Sequence, residues 1–238
     1  MGDDERLGRP VSGWTPPPRP GPAVIEGRHA RLIRLVADDN AAALHRANSV
    51  DDAMWDYLPY GPFASASAHH RWVREQASGA DPMFYAIHSH ATGRPGGVAS
   101  FLRIAPEAGS IEVGHIALSA ELQRTIAATE AIYLMMGWAF QAGYRRFEWK
   151  CNALNLPSRH AAQRLGLSFE GVFRQAGVNK GRNRDTAWFA AIDGEWPALQ
   201  AAFEAWLAPS NFDAGGRQRE RLGGLTGLVR AAGDPALR

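Results

Sequence analysis

The chain has 238 residues, of which 45% are hydrophobic and 21% charged, a composition that is typical of a globular protein with one sizeable core. The formal net charge is +2 and the arginines are scattered along the chain, so the sequence argues against nucleic acid as a partner. A single cysteine, Cys151, excludes an intramolecular disulfide, and the histidines have no metal-ligand spacing, so no metal is predicted.

No apolar run approaches the roughly 20 residues that span a bilayer, and residues 1–13 lack the apolar core of a signal peptide. We therefore expect a cytoplasmic protein without a membrane partner. Residues 1–22 are rich in proline, glycine and charge, which predicts a flexible Pro-rich N-terminal arm. We expect one domain over residues 23–208 and a C-terminal tail over residues 209–238 that is either partly helical or disordered.

The first half of the domain predicts one strand, two helices and three further strands, from the spacing of its apolar residues. In chain order these are a strand at residues 24–35, helices at 41–47 and 67–77, and strands at 83–88, 96–104 and 110–118. Asp38 supplies an N-terminal signal for the first helix. A turn at residues 105–109, which contains Pro106 and Gly109, separates the last two strands.

The second half predicts a long helix over residues 125–142, which ends at Gly143, a favourable C-terminal cap. Asn155 is a candidate N-cap for a helix that runs to Leu165, with Pro157 in its first turn. The remaining elements are a strand at 146–151, a hairpin of residues 169–178 and 184–192, and a helix at 195–207. The whole order predicts an α/β fold with a mixed central sheet of about seven strands flanked by helices.

The most informative segment is the junction between the strand at residues 110–118 and the long helix. A strand that opens a helix through a short loop presents free backbone N–H groups at the helix start. Those groups and the helix dipole together suit an anion such as a pyrophosphate. The sequence therefore predicts an anion site in the loop that contains Gln123 and Ala128.

The loop spacing Gln-x-x-Ile-x-Ala, from Gln123 to Ala128, resembles the acyl-CoA pyrophosphate loop of GNAT-family N-acetyltransferases, Gln/Arg-x-x-Gly-x-Gly/Ala. Downstream, Asn155-x-x-Ser158 and the Leu-Gly-Leu-Ser-Phe-Glu-Gly run at residues 165–171 resemble a signature of the RimJ/RimL-like ribosomal-protein acetyltransferase branch. The aromatic segment at residues 55–63 also resembles that branch. The matching features run in the expected order from about Val24 to Trp196.

This resemblance implies the GNAT fold, whose sheet splits between its two central strands. It implies an N-acyltransferase that moves an acyl group, most simply from acetyl-CoA, directly to a primary amine of a protein N-terminus or a small molecule. A homodimer is plausible from the same likeness. The rival interpretation is a catalytically degenerate acyl-CoA-binding or sensor module, because Ile126 replaces the family's glycine and Ala162 stands where many members have a tyrosine.

The resemblance also implies which residues hold the donor. The backbone N–H groups of Arg124 to Ala128 are expected to face the diphosphate, with help from the Thr125 and Thr129 hydroxyls. Ile126 is a departure that matters, because a β-branched residue tolerates fewer backbone conformations than glycine. The full predicted set is Ile116, Leu118, Gln123, Arg124, Thr125, Ile126, Ala127, Ala128, Thr129, Asn155 and Ser158.

Three side chains are candidates for the base that deprotonates the amine: Glu112, His115 and Glu170. For each of them a structural hydrogen bond is at least as good an explanation. Strand alternation places His115 on the face opposite Glu112 unless a bulge near Gly114 intervenes. Ser158 is the candidate proton donor to the leaving thiolate, and a strand N–H near Ile116 or Leu118 is expected to hold the developing oxyanion.

The acceptor is expected to enter beside an aromatic cluster of Trp55, Tyr57, Tyr60 and Phe63, which could stack on a substrate or hold a cation. The alternative is a loop whose rings fix it to the core, and this alternative is favoured for Trp55.

Overall fold

The computed structural model describes residues 7–237 and contains a mixed eight-stranded sheet with helices on both faces. The strands are β1 (Val24–Glu26), β2 (Ala30–Arg34), β3 (Met83–Ser89), β4 (Pro95–Ala105), β5 (Ser110–Leu118), β6 (Arg146–Asn152), β7 (Ser168–Asn179) and β8 (Arg182–Ile192). The helices are α1 (Ala37–Asn48), α2 (Ala66–Ala77), α3 (Ile126–Gln141), α4 (Leu156–Arg164), α5 (Trp196–Leu207) and α6 (Leu222–Thr226). The predicted α/β class with a mixed sheet is confirmed.

The sheet has eight strands rather than seven because the predicted strand at residues 24–35 divides in two. The carboxylate of Glu130, on α3, accepts the backbone N–H groups of Arg28, His29 and Ala30 at 3.0, 2.6 and 2.8 Å. These contacts hold the chain in a turn between β1 and β2. A side chain on Gly27 would lie 2.7 Å from a Glu130 oxygen, so the turn also needs a residue without Cβ there.

The strand order is β1-β2-β3-β4-β5-β6-β8-β7, and β5 and β6 pair in parallel while the other neighbours in residues 7–237 pair antiparallel. A parallel pair needs a crossover, and α3 supplies it. The β5–β6 register covers only three pairs, from Ser110 with Arg146 to Glu112 with Glu148. Beyond Glu112 the two strands separate and leave a gap in the middle of the sheet.

Two apolar cores, one on each face of the sheet, hold the strands on both sides of the gap between β5 and β6. Under α3, α4 and α5 the first core includes Met135 and Phe147, both without solvent exposure. Beneath α1 and α2 the second includes Leu44, Val73 and Phe84. Since both faces are covered, the strands around the gap are rigidly held on either side. None of the helices within residues 7–237 has the length and apolarity to cross a bilayer.

Both segments that flank the predicted domain lie against it. The Tyr144 and Tyr85 hydroxyls donate to the carbonyls of Pro18 and Pro22 at 3.0 and 2.9 Å. Residues 1–6 of the predicted flexible arm lie outside the described residues. In the tail, Asp234 forms a buried two-point ion pair with Arg159 of α4, at 2.6 Å for each contact. The division of the chain after residues 22 and 208 stays a prediction.

The Asp234 ion pair yields a first test. We expect Asp234→Ala to lower the free energy of unfolding by about 3 kcal/mol, because it leaves the buried Arg159 guanidinium without its counter-charge. Asp39→Ala, which removes an exposed carboxylate of α1, is the matched control and should change it by less than about 1 kcal/mol. Urea denaturation of the full chain measures both. Equal stabilities of the two variants would show that the tail is not anchored through this pair.

Candidate active site

The gap between β5 and β6 forms a cavity of about 260 Å³ that brings together three of the predicted catalytic side chains. Glu112 and His115 enter it from β5, and Ser158 enters it from the first turn of α4. Ile116 and Asn155, both predicted to contact the donor, also line it. The splayed strands therefore create a chamber in which Glu112, His115, Ser158 and strand backbone lie together.

A β-bulge in β5 places His115 in the same chamber as Glu112. Val98 of β4 pairs with Ala117, but Ser100 pairs with Gly114, so β5 carries one extra residue opposite Ala99. His115 itself adopts a left-handed φ of 50°. The bulge expected near Gly114 is thus present one residue later, and it overrides the simple alternation of the strand.

Glu112 has the properties of a base that works near neutral pH. Its side chain is 2% exposed, and one carboxylate oxygen lies 3.2 Å from Arg103 Nε and 3.3 Å from Lys150 Nζ. Burial raises the pKa of Glu112 to about 7, although the positive charges of Lys150 and Arg103 act in the opposite direction and lower it. A carboxyl group that is half ionised at neutrality balances proton affinity against the population of the ionised form.

His115 is held neutral. Burial, reinforced by the positive charges of Lys150 and Arg184, lowers the pKa of His115 to about 4. Its Nδ1 atom shares a hydrogen bond of 3.2 Å with the Tyr60 hydroxyl, and the two rings stack with their centroids 5.6 Å apart. Burial raises the pKa of Tyr60, so the phenol keeps its proton. At neutral pH the imidazole therefore contributes a dipole and a hydrogen bond, and its affinity for a proton is far weaker than that of Glu112.

The geometry contradicts Glu170 as a base at this centre. Both of its oxygens accept from Arg146, at 2.8 and 2.5 Å, and this pairing lowers the pKa of Glu170. The carboxylate lines a neighbouring cavity on β7 rather than the chamber between β5 and β6. The positive charge of Arg146 stabilises the ionised form of this carboxylate, which makes it a weak base.

Ser158 is placed and oriented by its surroundings. Trp149 Nε1 donates to Ser158 Oγ at 3.0 Å, so the hydroxyl proton remains to be donated, and the neighbouring Cys151 sulfur is one acceptor that it reaches. Asn155 caps α4 by accepting the Ser158 backbone N–H at 3.1 Å, so its side chain has a structural role whatever else it contacts. Ala162 is completely buried in the core, so no hydroxyl enters the chamber from that position.

The loop before α3 keeps only part of the predicted set of free amides. Thr125 is the N-cap of α3, and its Oγ1 accepts the Ala128 N–H at 3.1 Å, so the expected free amide at Ala128 is wrong. Within residues 7–237, the N–H groups of Arg124, Ile126 and Ala127 have no hydrogen-bond acceptor. Three unpaired donors therefore remain at the start of the helix.

Two other predicted phosphate contacts are used inside the protein. The Thr129 hydroxyl donates to the Thr125 carbonyl at 3.2 Å and accepts from Arg164 at 2.7 Å, which contradicts the prediction that it is free for a phosphate. The Gln123 side chain donates to the Leu118 carbonyl at 2.9 Å and fixes the loop to the end of β5. Ser119 donates its N–H to Gly96 of β4, so the adjacent Leu118 N–H faces the gap by strand alternation.

Four arginines surround the start of α3, and three of them were not found from the sequence. A cavity of about 630 Å³ is lined by Arg124, Arg164, Arg217 and Arg221, without a carboxylate among its lining residues. Nη1 of Arg164 is buried and has no hydrogen-bond acceptor within the described chain. Burial lowers the pKa of Arg164, and its guanidinium lies 5.6 Å from the Trp206 ring. No local motif marks these residues, because α4 and the tail bring them to α3 from distant parts of the chain.

The aromatic segment is divided between core and cavity. Trp55 is 3% exposed and packs edge-on against Phe63, with ring centroids 5.3 Å apart, so both rings fix the loop to the core. Tyr60 forms its hydrogen bond to His115 and is not among the residues that line the chamber. Tyr57 lines the chamber, and its hydroxyl donates to the Leu154 carbonyl at 3.2 Å. Of the four predicted acceptor contacts, Tyr57 alone faces the cavity between the strands.

Comparison with known proteins agrees with this geometry. A sequence profile of the acetyltransferase (GNAT) domain matches residues 31–168. A GCN5-related N-acetyltransferase from Brucella melitensis is 43% identical, with a TM-score of 0.89 over 92% of this chain and 100% of that one. A probable acetyltransferase (GNAT family) from Chromobacterium violaceum is 39% identical, with a TM-score of 0.76 over 80% and 96%.

A RimL ribosomal L7/L12 α-N-protein acetyltransferase shares the fold at 22% identity, with a TM-score of 0.62 over 71% of this chain and 93% of its own. Among curated proteins, none matches this chain significantly.

The raised pKa of Glu112 implies a pH-dependent cost to stability. Between its ordinary pKa of 4.5 and about 7 the folded state binds this proton more tightly than the unfolded state does. Stability from this group is therefore lost as pH rises through that window. The Glu112→Gln variant lacks this titration. Between about pH 5 and pH 8, we therefore expect its free energy of unfolding to increase relative to that of the wild type by about 3 kcal/mol at most. Urea unfolding of both proteins across that range measures the difference, and parallel curves would contradict it.

Proposed function

The chain belongs to the acetyltransferase (GNAT) family and is an acyl-CoA-dependent N-acyltransferase, and from that premise we propose that acetyl-CoA is its donor and a primary amine its acceptor. We infer direct transfer, without an acyl-enzyme. Burial raises the pKa of Cys151, so the one thiol of the chain is a weak nucleophile.

The observation that carries this proposal is the uncompensated positive charge at the start of α3. Arg164 is half-buried, its Nη1 atom is buried without a hydrogen-bond partner within residues 7–237, and the nearby amides of Arg124, Ile126 and Ala127 are also unpaired. A buried cation without a counter-ion is costly unless an anion occupies the site. The diphosphate and the additional phosphate of CoA supply anions of that kind, so the residues present fit the donor.

The isoleucine in the loop is compatible with this site. Left-handed backbone is needed at Arg124, whose φ is 61°, and not at Ile126, which is already the first residue of α3. A β-branched residue is acceptable at that helical position, and its N–H group stays free. The free N–H of Ile126 favours an active transferase over a module that has lost its donor site.

Two side chains of the chamber and one strand N–H at the gap supply the chemistry in this proposal. Glu112 takes a proton from the attacking amine, directly or through a water molecule. The Leu118 N–H, which faces the gap, donates to the carbonyl oxygen on which negative charge develops. Ser158 donates its hydroxyl proton toward the departing thiolate, since its oxygen already accepts from Trp149. The assignment to the RimJ/RimL-like branch, a cytoplasmic location and a homodimer stay predictions from the sequence.

The donor site is tested by Arg164→Gln. We expect the affinity for CoA to fall by roughly 10- to 100-fold, because a charged hydrogen bond to phosphate is lost. Arg71→Gln, on the exposed surface of α2, is the matched control. Calorimetry with CoA and with dephospho-CoA shows which phosphate is affected, and thermal unfolding without ligand checks that the variant folds. An unchanged affinity would refute the site.

The base is tested by the pH dependence of turnover. With an aniline acceptor, whose amine is neutral throughout the range, we expect kcat/KM to rise as pH increases through about 7, because Glu112 must be ionised. Glu112→Gln should lower kcat by roughly 100-fold or more while the affinity for CoA is kept. A flat profile between about pH 5 and 9 would point to His115 instead, because the pKa of His115 is about 4.

A further inference from the structure

A second cavity, of about 740 Å³, adjoins the chamber on the side of the β7–β8 hairpin. Pro59, Lys150 and Arg184 line both cavities, so the two spaces meet at these side chains. In the proposed function this second space leads to the acceptor amine. The charges around it therefore bear on which amine the protein accepts.

The two carboxylates of the second cavity are already paired with one shared cation. Arg146 donates to Glu148 at 2.7 Å and to both oxygens of Glu170, so one guanidinium holds two carboxylates. No further acidic residue lines this cavity. An approaching ammonium ion would thus find no free carboxylate here.

The cations at the junction are in excess. Arg103 and Lys150 both lie close to a single carboxylate, that of Glu112. Arg184 has no acidic partner within 4 Å among residues 7–237. Three positive side chains therefore lie around the proposed base, and when Arg146, Glu148 and Glu170 are included four cations face three carboxylates, so one positive charge is in excess.

Trp188 holds this positive cluster in place. Arg103 and Lys150 each lie 5.3 Å from the centre of its ring, an arrangement that fixes both side chains by cation–π contact. The Trp188 Nε1 atom is buried and has no acceptor within the described part of the chain. Trp188 and Arg184 both line the second cavity, so its wall contains one guanidinium without an acidic partner and one ring whose N–H is unsatisfied.

We propose that the acceptor is an amine that also carries a carboxylate, and that Arg184, with Lys150, binds this carboxylate where the two cavities meet. The inference rests on the proposed function and specifies its substrate class. A guanidinium matches a carboxylate in two-point geometry, and the anion compensates the surplus charge. The same cations favour the neutral form of the neighbouring amine, which is the form that attacks. A free amino acid and a peptide with an acidic second residue both satisfy this chemistry.

The test compares matched acceptors that differ by one charge, with acetyl-CoA as donor. The first pair is a free amino acid and its carboxamide, and the second is a short peptide with Asp or Asn at its second position. We expect kcat/KM to be at least about 10-fold higher for the charged member of one pair, and that pair identifies the source of the carboxylate. Arg184→Gln should remove the preference mainly through KM. Arg174→Gln, an exposed arginine outside both cavities, should keep it.

Two results would overturn the inference. Equal rates for the charged and uncharged members of both pairs, with turnover present, would refute the substrate class and leave the acetyltransferase activity intact. Acetyl-CoA binding without transfer to any of the four acceptors or to an aniline would refute the proposed function, and the inference would fall with it.

Discussion

The separation of β5 from β6 after Glu112 is the constraint on which the site depends. Three residue pairs join the strands, and beyond them each strand has backbone groups that no neighbour satisfies across the gap. Unpaired backbone inside a protein needs water or a ligand. The two apolar cores prevent the strands from closing, since α3 and α4 pack on one face and α1 and α2 on the other. The cleft is thus maintained by the same packing that stabilises the fold.

Positive side chains lie at both ends of this cleft. At the end near α3, Arg164 and the arginines of the tail form a cluster without carboxylates. At the end near β8, Arg184 and its neighbours form a second positive surplus. Glu112 lies between them, and burial keeps its pKa near neutrality against the pull of Lys150 and Arg103. An anion at either end lowers the positive potential at Glu112 and raises its affinity for a proton.

Local patterns predicted the elements that local forces determine. The strand at residues 110–118 was predicted with the bounds that the structure has, and the long helix begins one residue later than expected. The hairpin was predicted with a loop at residues 179–183, but the turn is shorter, because Lys180 and Gly181 both adopt the left-handed φ that a two-residue turn requires.

Features set by distant contacts were missed. Glu130 divides the first strand from about 100 residues away in the sequence. Arg217 and Arg221 reach the donor end only because the tail folds back. The role of Glu170 was wrong for the same reason: its partner, Arg146, is on a different strand, and no local pattern reveals that pairing. The chemistry-bearing residues of β5 could be predicted because a single strand carries them, whereas the charges that shift their pKa values come from three other strands, β4, β6 and β8.

In the proposed function, the C-terminal tail links stability to donor binding. It supplies Arg217 and Arg221 to the cavity at the start of α3, and the buried pair of Asp234 with Arg159 fixes it to α4. The same helix carries Ser158 at its first turn and Arg164 at its last. A donor that bridges these groups would bind only the state in which the tail is docked, and it would stabilise that state by mass action. In the proposed function the tail is then part of the donor site, although it lies beyond residue 168, where the match to the family profile ends.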